Sequence, residues 1–449
     1  MKKTKLLNRV VSFVIIFTLM FSVSANISAF ADEPENATSG ESEEQTIVEQ
    51  VVEIIENITE SYECTADPWR MLDTIIYLGR EQAKVNPRPY LSAVNGILDN
   101  PVPQLYSLGT AGLVLTALGY DIEAFITDGG TTVNIVELIQ NSSGFYNPDG
   151  SVEVFGAASA LYALNSGSFD VPESIKDIAL DIAGAQYPDG GWGFDGVNGD
   201  VDTTAMCVAA LIPYREDAAA KQAIENALAF LSEAQCQSGG YSSFGAENSN
   251  TAAMVLIALT CLGIDAGDDA RFIKNENSII DALLTFATQD KKGFGYTDTA
   301  YNSFATEQVY RALVCYKKFI DAQKPEAGFS PYDFKNHTGV CADSSGYDAN
   351  ISSLSVDDGE LNPGFDPALT EYDFETEKSG IELDITLQNP GAQVTVNEKE
   401  SLNVTLSPGN NTVSVEVKSE NGQAEKIYAV YEYRSGGSGS GSGSAAQDI

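Results

Sequence analysis

A chain of 449 residues is long enough for two or three domains. Its 64 acidic residues against 25 basic ones give a formal net charge of −39, which excludes nucleic acid and anionic lipid as electrostatic partners. The same balance favours a solvated acidic surface.

The chain starts MKKTKLLNR, continues VVSFVIIFTLMFSV and reaches Ala29-Phe30-Ala31. A basic start, an apolar middle and an A-x-A site predict a signal peptide over 1–31 and hence a secreted or cell-surface protein. No later stretch is apolar for long enough to span a bilayer, so no transmembrane segment is expected in the mature chain. Residues 32–44 (DEPENATSGESEE) are acidic, lack apolar periodicity and read as a disordered leader. A helix is predicted over 46–58, with Ile47, Val51, Ile54, Ile55 and Ile58 on one face. Two more follow, over 67–79 with Asp67 as cap and Pro68 at the first position, and over 87–98.

From there an internal repeat governs the pattern. LGTAGLVLTAL, FGAASALYAL, DTTAMCVAAL, NTAAMVLIAL and ATEQVYRAL align without gaps and end at Leu118, Leu164, Leu211, Leu259 and Leu313. All five are apolar nearly all round and rich in alanine, which marks buried helices. Between the repeats run amphipathic helices over 133–140, 172–186, 218–235 and 277–289. Counting 67–79 with the buried set, and 46–58 and 87–98 with the amphipathic set, gives six of each. That pattern predicts a closed α/α ring over 45–320, buried helices inside.

Four of the buried helices are led by a Gly-aromatic pair: Gly144-Phe145, Gly191-Trp192, Gly240-Tyr241 and Gly293-Phe294. Each glycine is expected to supply the positive φ of a tight turn. In DGGWGFDGVNGDVDTTAMCVAAL (189–211), Asp202 and Thr203 are predicted to cap the helix. Because every such turn precedes a buried helix, the turns should gather at one end of the ring. Trp192, Phe194, Asp200, Tyr241, Phe244, Glu247, Phe294 and Tyr296 are therefore the expected ligand-binding residues, with Tyr146, Tyr301 and Asn250 nearby.

GGWGF…DVDTTAM…AL, SGGYSSFGAENSNTAAMVLIAL and NSFATEQVYRALVCYKKF resemble the repeat of the prenyltransferase and squalene-cyclase (terpenoid-cyclase-like) superfamily, and most of all its secreted Gram-positive toroid proteins. The resemblance implies an all-α (α6/α6) toroid. It also implies an architectural kinship with cobalamin carriers, which makes a corrinoid the named small-molecule ligand. DVDTTA (200–205) resembles the acidic motif of class II terpene cyclases, in which the central Asp protonates an alkene or epoxide. That role would fall on Asp202, with Asp200 as the first member and Thr203 in place of the last Asp. The superfamily's protein prenyltransferases hold zinc through Asp, Cys and His. Here the single histidine, His337, follows the last repeat, so no metal site of that form is expected. A calcium set of Asp195, Asn198, Asp200 and Asp202 lacks the EF-hand glycine and terminal Glu, and reads as solvated turn carboxylates. No dinucleotide or phosphate fingerprint is found, and no cofactor is expected.

Residues 321–350 read as a linker. The period then changes to two, predicting strands over 381–387, 392–396, 402–406, 411–417 and 426–433. LSVDDGELNPGFDPALTEYDF and LSPGNNTVSVEV resemble the cadherin-like β-sandwich domain of bacterial surface proteins, over 351–434. The Gly/Ser tail 435–449 reads as a flexible linker that ends without a sorting motif or anchor, and a linker leading nowhere is expected of a truncated sequence or one from which a further domain is missing. Of six cysteines, Cys207, Cys261 and Cys315 fall in apolar helices as buried thiols, while Cys64 and Cys341 flank the ring and are the disulfide candidate among 15 full pairings.

The expected function is non-catalytic binding of a small-molecule or cell-surface ligand at the mouth of the toroid. One alternative is a surface adhesion or scaffold protein that binds protein or glycan. Another is a terpene-cyclase-like enzyme using Asp202 and Asp200.

Overall fold

The computed structural model describes residues 46–194 and 196–434. The expected signal peptide, acidic leader and Gly/Ser tail lie outside these residues, as does Asp195.

Twelve α-helices occur among the described residues: α1 (Ile47–Ser61), α2 (Pro68–Leu78), α3 (Arg88–Leu98), α4 (Leu105–Leu118), α5 (Ile135–Gln140), α6 (Val154–Ser166), α7 (Glu173–Gly184), α8 (Val201–Leu211), α9 (Ala218–Ala234), α10 (Ser249–Cys261), α11 (Ile279–Leu284) and α12 (Ser303–Asp321). Their starts follow the local chemistry. Thr46 and Glu49 form a capping box on α1. Asp67 accepts from the backbone N–H groups of Trp69 and Arg70 at 3.0 Å each, with Pro68 at the first helical position. The even-numbered helices form the inner wall, each touching the next, and α12 returns to α2 to close the ring. The odd-numbered helices pack outside them, α1 on α12, α9 on α8 and α11 on α10 among others. The tightest joint, α4 on α6, needs Gly109, since a Cβ there would lie 2.6 Å from the Ser159 hydroxyl oxygen. The predicted outer helix over 277–289 stops at Leu284, because Ala287 pairs with Phe294 and the Phe286 carbonyl takes the Gly295 N–H.

The α12–α2 seam carries two buried ion pairs. Arg311 donates to the Asp73 carboxylate at 2.6 and 3.0 Å and to Glu307 at 3.1 Å, and lies over the Trp69 ring at 4.6 Å. Nearer the helix starts, Arg70 donates to both oxygens of Asp366 at 2.6 Å and to the Ser303 hydroxyl at 2.6 Å.

The expected linker is instead a strap across the C-terminal ends of the inner helices. The N–H groups of Phe329, Phe334 and Cys341 donate to the carbonyls of Thr260, Ser166 and Leu118. These are helix-end acceptors that would otherwise lack partners. Tyr332 is buried and stacks on Tyr162, with ring centroids 4.3 Å apart. Arg80 fastens strap to ring, donating to the carbonyls of Thr116, Ala117, His337 and Gly339. A strap of this kind was not legible as such, because Pro, Gly and Asp favour irregular backbone whether or not that backbone is packed.

The strap also decides the cysteine question. Val85 bridges Thr65 on one side and Asp343 on the other, so the 83–86 segment runs between the segments bearing Cys64 and Cys341. Two strand spacings amount to about 9–10 Å, beyond the ~7 Å reach of a disulfide. Both thiols are free, Cys64 donating to the Ser344 carbonyl and Cys341 to the Ala83 carbonyl. The disulfide expectation is thereby corrected.

After the strap come seven strands in two sheets, numbered in chain order: β2 (Glu371–Thr376), β7 (Glu425–Arg434), β6 (Gly409–Lys418) and β4 (Gln393–Val396) neighbour one another in that order in one, and β1 (Ile351–Val356), β3 (Gly380–Leu387) and β5 (Asn403–Thr405) in the other. Period-two alternation buries Val413, Val415 and Val417 against Ile351, Leu354, Tyr372 and Tyr428. The sandwich is docked on the ring. Asp366 takes Arg70 and the Tyr301 hydroxyl, Asp348 takes Asn86, and the side-chain amides of Asn350 and Gln388 donate to the Cys64 carbonyl.

Burial alone would raise the Asp366 pKa, but the hydrogen bonds and charge of Arg70 outweigh it and hold it at about 2. Its contribution to stability is therefore complete above the ordinary carboxylate pKa of about 3.9 and is lost as pH falls through 2. Arg70→Ala or Asp366→Ala should each cost about 3–5 kcal/mol in denaturant unfolding, because each strands a buried charge. The double variant Arg70→Met/Asp366→Leu should recover most of that loss; a double variant as unstable as the singles would refute this account.

Candidate functional site

The starts of the inner helices define one end of the ring, the mouth. The Gly-aromatic turns do lie there, but their first aromatics do not face a ligand. Trp192 is 1 % exposed, and Tyr241 and Phe294 are buried as completely. Their side chains enter the wall. The Trp192 Nε1 donates to the Ile182 carbonyl at 2.7 Å, and the Tyr241 hydroxyl to the Leu231 carbonyl at 3.0 Å, so each reaches the preceding outer helix. The backbone is pinned from the inner helix: Trp192 N–H donates to the Thr204 hydroxyl and Phe294 N–H to that of Thr306. Trp192, Tyr241 and Phe294 are thus packing residues, which corrects the expectation for these three. The glycine's role is also different. Positive φ falls on Gly190 and Gly239, one residue earlier. Gly191 is required because a Cβ there would lie 2.8 Å from the Gly199 Cα.

The cap of α8 is Asp200 rather than Asp202. Its carboxylate accepts from the Thr203 N–H at 2.7 Å and the Thr203 hydroxyl at 2.9 Å. Asp202, two residues on, is half-buried and directed at the neighbouring repeat, where the Thr251 hydroxyl donates to it at 3.3 Å and to the Ser243 hydroxyl at 2.9 Å. Burial, with the Asp200 charge beside it, raises the Asp202 pKa to about 7, against the opposing hydrogen bonds of Thr251 and Ser243. Tyr296 is half-buried and shares this pocket, its phenol bonding Ser243. Ser243 belongs to a short hairpin, Ser242–Ser243 paired with Ala246–Glu247, lying against α8 and α10. Phe244 at its tip is 90 % exposed, and Phe194 on the preceding turn is 54 % exposed. Glu247 is exposed and accepts from the Ser238 hydroxyl at 2.5 Å. Of the expected residues, then, Asp200, Asp202, Phe194, Phe244, Glu247 and Tyr296 stand at the mouth. Tyr301 is occupied by Asp366 of the sandwich.

A second group went unread in the sequence. Tyr106, at the start of α4, is 38 % exposed and stacks on Phe155 of α6, with centroids 4.7 Å apart and planes 22° apart. Tyr106 and Tyr162 both sense the charge of Arg311, although α4 and α6 do not neighbour α12 in the wall. The three side chains therefore lie within electrostatic range of one another inside the ring. Trp69 and Glu307 belong to the same group through Arg311. Burial raises the Glu307 pKa to about 8 against the pull of Arg311, with Asp67 and Asp73 adding to the rise. The signal existed in the repeat register. Phe155, Asp202 and Asn250 each precede the closing leucine of their repeat by nine residues, which places a polar or aromatic group where a wall-facing residue would be small and apolar.

Among the described residues, no group of three or more His, Cys, Asp or Glu side chains is placed to share a metal ion, and no helix is long and apolar enough to cross a membrane.

Asp200→Ala should cost about 1 kcal/mol and Asp200→Asn little, the pattern of a cap, measured by thermal unfolding. Asp202 should show the opposite of an ordinary carboxylate. Its folded pKa lies above the unfolded value, so the folded chain binds the extra proton and stability falls as pH rises from about 4 through about 7. Asp202→Asn removes that slope. The variant should gain on the wild type between pH 5 and pH 8, and a constant difference across that window would show that Asp202 titrates normally.

Residues 351–435 match the family described as the cadherin-like beta sandwich domain. No curated protein matches the chain. Among solved structures, one titled as an Asp→Asn variant of UGL with dGlcA-Glc-Rha-Glc is similar at 12 % identity and a TM-score of 0.38, covering 64 % of this chain and 99 % of that one. At that score the likeness carries no argument about activity. The chain thus comprises a closed α/α ring, established by its own helix contacts, and a cadherin-like β-sandwich domain at 351–435.

Proposed function

We propose that this chain is a non-catalytic binding protein of the cell exterior that holds its ligand at the mouth of the ring. The observation that carries the reading is the set of apolar side chains exposed on the turns at the mouth, which the strap leaves open. Val102, Tyr146, Phe194, Val197 and Phe244 are all exposed and all lie on segments that lead into inner helices. The opposite end is covered by the strap. Exposed apolar groups on successive turns at one end favour an interaction site there. The expected signal peptide and the cadherin-like domain favour export.

The chemistry of Asp202 favours binding over cyclisation. Protonating an alkene calls for a strong acid, whereas a carboxyl raised to about 7 by burial and by Asp200 is a weak one. Asp200, the other carboxylate of the cyclase-like motif, is engaged in capping α8. The resemblance to cobalamin carriers makes cobalamin the first small-molecule probe, and neutral oligosaccharides serve for the adhesion alternative.

The test is equilibrium dialysis of the full chain against cobalamin and against neutral oligosaccharides. Capture of at least one is expected, weakened by about 1–3 kcal/mol in Phe194→Ala and in Phe244→Ala with an unchanged melt. Retention of full affinity in both variants would place the ligand elsewhere. Turnover of a polyprenyl substrate that vanishes in Asp202→Asn would overturn the non-catalytic reading.

A further inference from the structure

Where the sandwich meets the ring, an amine and an amide side chain touch within a buried cluster. Asn350 immediately precedes β1, and Lys426 lies on β7 in the other sheet. The Lys426 Nζ is 2.9 Å from the Asn350 Oδ1 and 2.7 Å from the Pro367 carbonyl oxygen. With a C=O length of about 1.23 Å, a nitrogen so placed lies about 3–4 Å from the amide carbon Cγ. That overlaps the range from which a nucleophile attacks. Asn350 is 6 % exposed, and Asp348 and Tyr428 are fully buried. The Tyr428 ring lies 5.1 Å from Nζ, and its hydroxyl takes the Ile351 N–H at 3.0 Å, so β1 and β7 are already fixed beside the pair. Burial draws the Lys426 pKa down to about 8, against the charges of Asp348 and Asp366. About a tenth of the amine is therefore uncharged at neutral pH and has a lone pair to offer.

We propose that Lys426 and Asn350 join in an intramolecular isopeptide bond. The lone pair of Nζ adds to the Asn350 Cγ, the carbonyl electrons move onto Oδ1, and their return expels Nδ2. One bond forms, Nζ–Cγ, and one breaks, Cγ–Nδ2. The proton that Nζ loses is the one that Nδ2 gains, so the amide nitrogen leaves as ammonia and nothing is oxidised or reduced. Asp348 is a positioning residue for this step. Its Oδ1 accepts the Asn350 backbone N–H at 2.8 Å, and its Oδ2 accepts from Asn86 and Gln388 at 2.7 and 2.6 Å. Its negative charge favours positive charge on Nζ, which steadies the stage at which Nζ holds both the new bond and the proton. The leaving nitrogen is held by the ring, Nδ2 donating to the carbonyls of Glu63 and Cys64 at 3.2 and 3.4 Å. The site is thus complete only when the sandwich is docked. The bond would staple the two sheets together beside the ring, independently of any ligand at the mouth. In a chain whose six cysteines are all free, it supplies the kind of restraint that a disulfide gives elsewhere.

The test is mass spectrometry of tryptic peptides from the full chain, denatured just before digestion. In the wild type, peptide 336–378, which holds Asn350, should appear joined to peptide 419–434, with no cleavage after Lys426 and a total mass lighter by one ammonia. Fragment ions should place the link on Lys426 and Asn350. Any unjoined fraction should fall while the folded chain is held at about pH 9, where Lys426 is mostly uncharged. Lys426→Arg keeps a hydrogen-bond donor but removes the nucleophile, and Asn350→Ala removes the amide. Each variant should give the two peptides separately at full mass. The wild-type peptides decide the matter even where a variant fails to fold. Separate wild-type peptides of full mass after the alkaline incubation would overturn the inference, as would a joined pair that persists in Lys426→Arg.

Discussion

The joint between α12 and α2 is the one on which the ring depends. The other contacts of the inner wall join helices that follow one another in the repeat, so chain connectivity keeps them close. The last must bring together residues 238 positions apart, and it does so through Arg311 and Asp73. A buried ion pair of this kind adds little net stability over a well-packed apolar pair, but it is intolerant of the wrong partner, because an unmatched charge in the wall costs several kcal/mol. Arg70, Ser303 and Asp366 extend the same seam and tie it to the β-sandwich. Ring closure and domain docking are thus one polar network, with the sandwich acting as a clasp over the joint.

The two ends of the ring have opposite fates for a backbone reason. Helix C-termini present unpaired carbonyls, and the strap supplies N–H donors to three of them. Tyr332 then fills the axis from that side. Helix N-termini are satisfied more locally, by side chains such as Asp67, Asp200 and Asn248, and so need no cover from elsewhere in the chain. What remains uncovered is available for binding.

The repeat period made the ring legible, since six apolar helices can be buried together only inside six amphipathic ones, and the two-residue alternation made the sandwich legible for the same reason of face. The site was harder to read. Trp192, Tyr241 and Phe294 share a position with respect to the turn, but whether an aromatic after glycine points out or in depends on a threonine twelve residues later and on a carbonyl of the previous helix. Asp200 and Asp202 are interchangeable as caps on composition alone; the backbone selected Asp200. The group around Arg311 was hidden because its members, Trp69, Tyr106, Phe155, Tyr162 and Glu307 with it, come from four different inner helices and read individually as core. Arg311 and Asp73 also could not be paired from a single sequence, for nothing local to either predicts a partner so distant.

The long reach of the seam has a consequence for how the protein comes into being. Until Arg311 is available, the growing wall ends at α2 in an open apolar edge of Met71, Leu72, Ile75 and Ile76, with an unpaired buried-type acid, Asp73, in its middle. Such an arc is a template for any matching edge, and the α12 of a second copy carries the same arginine. Contacts of high sequence separation form slowly, and elements that close on their own chain can close on another. The device that makes the ring specific within one molecule is therefore equally competent between two.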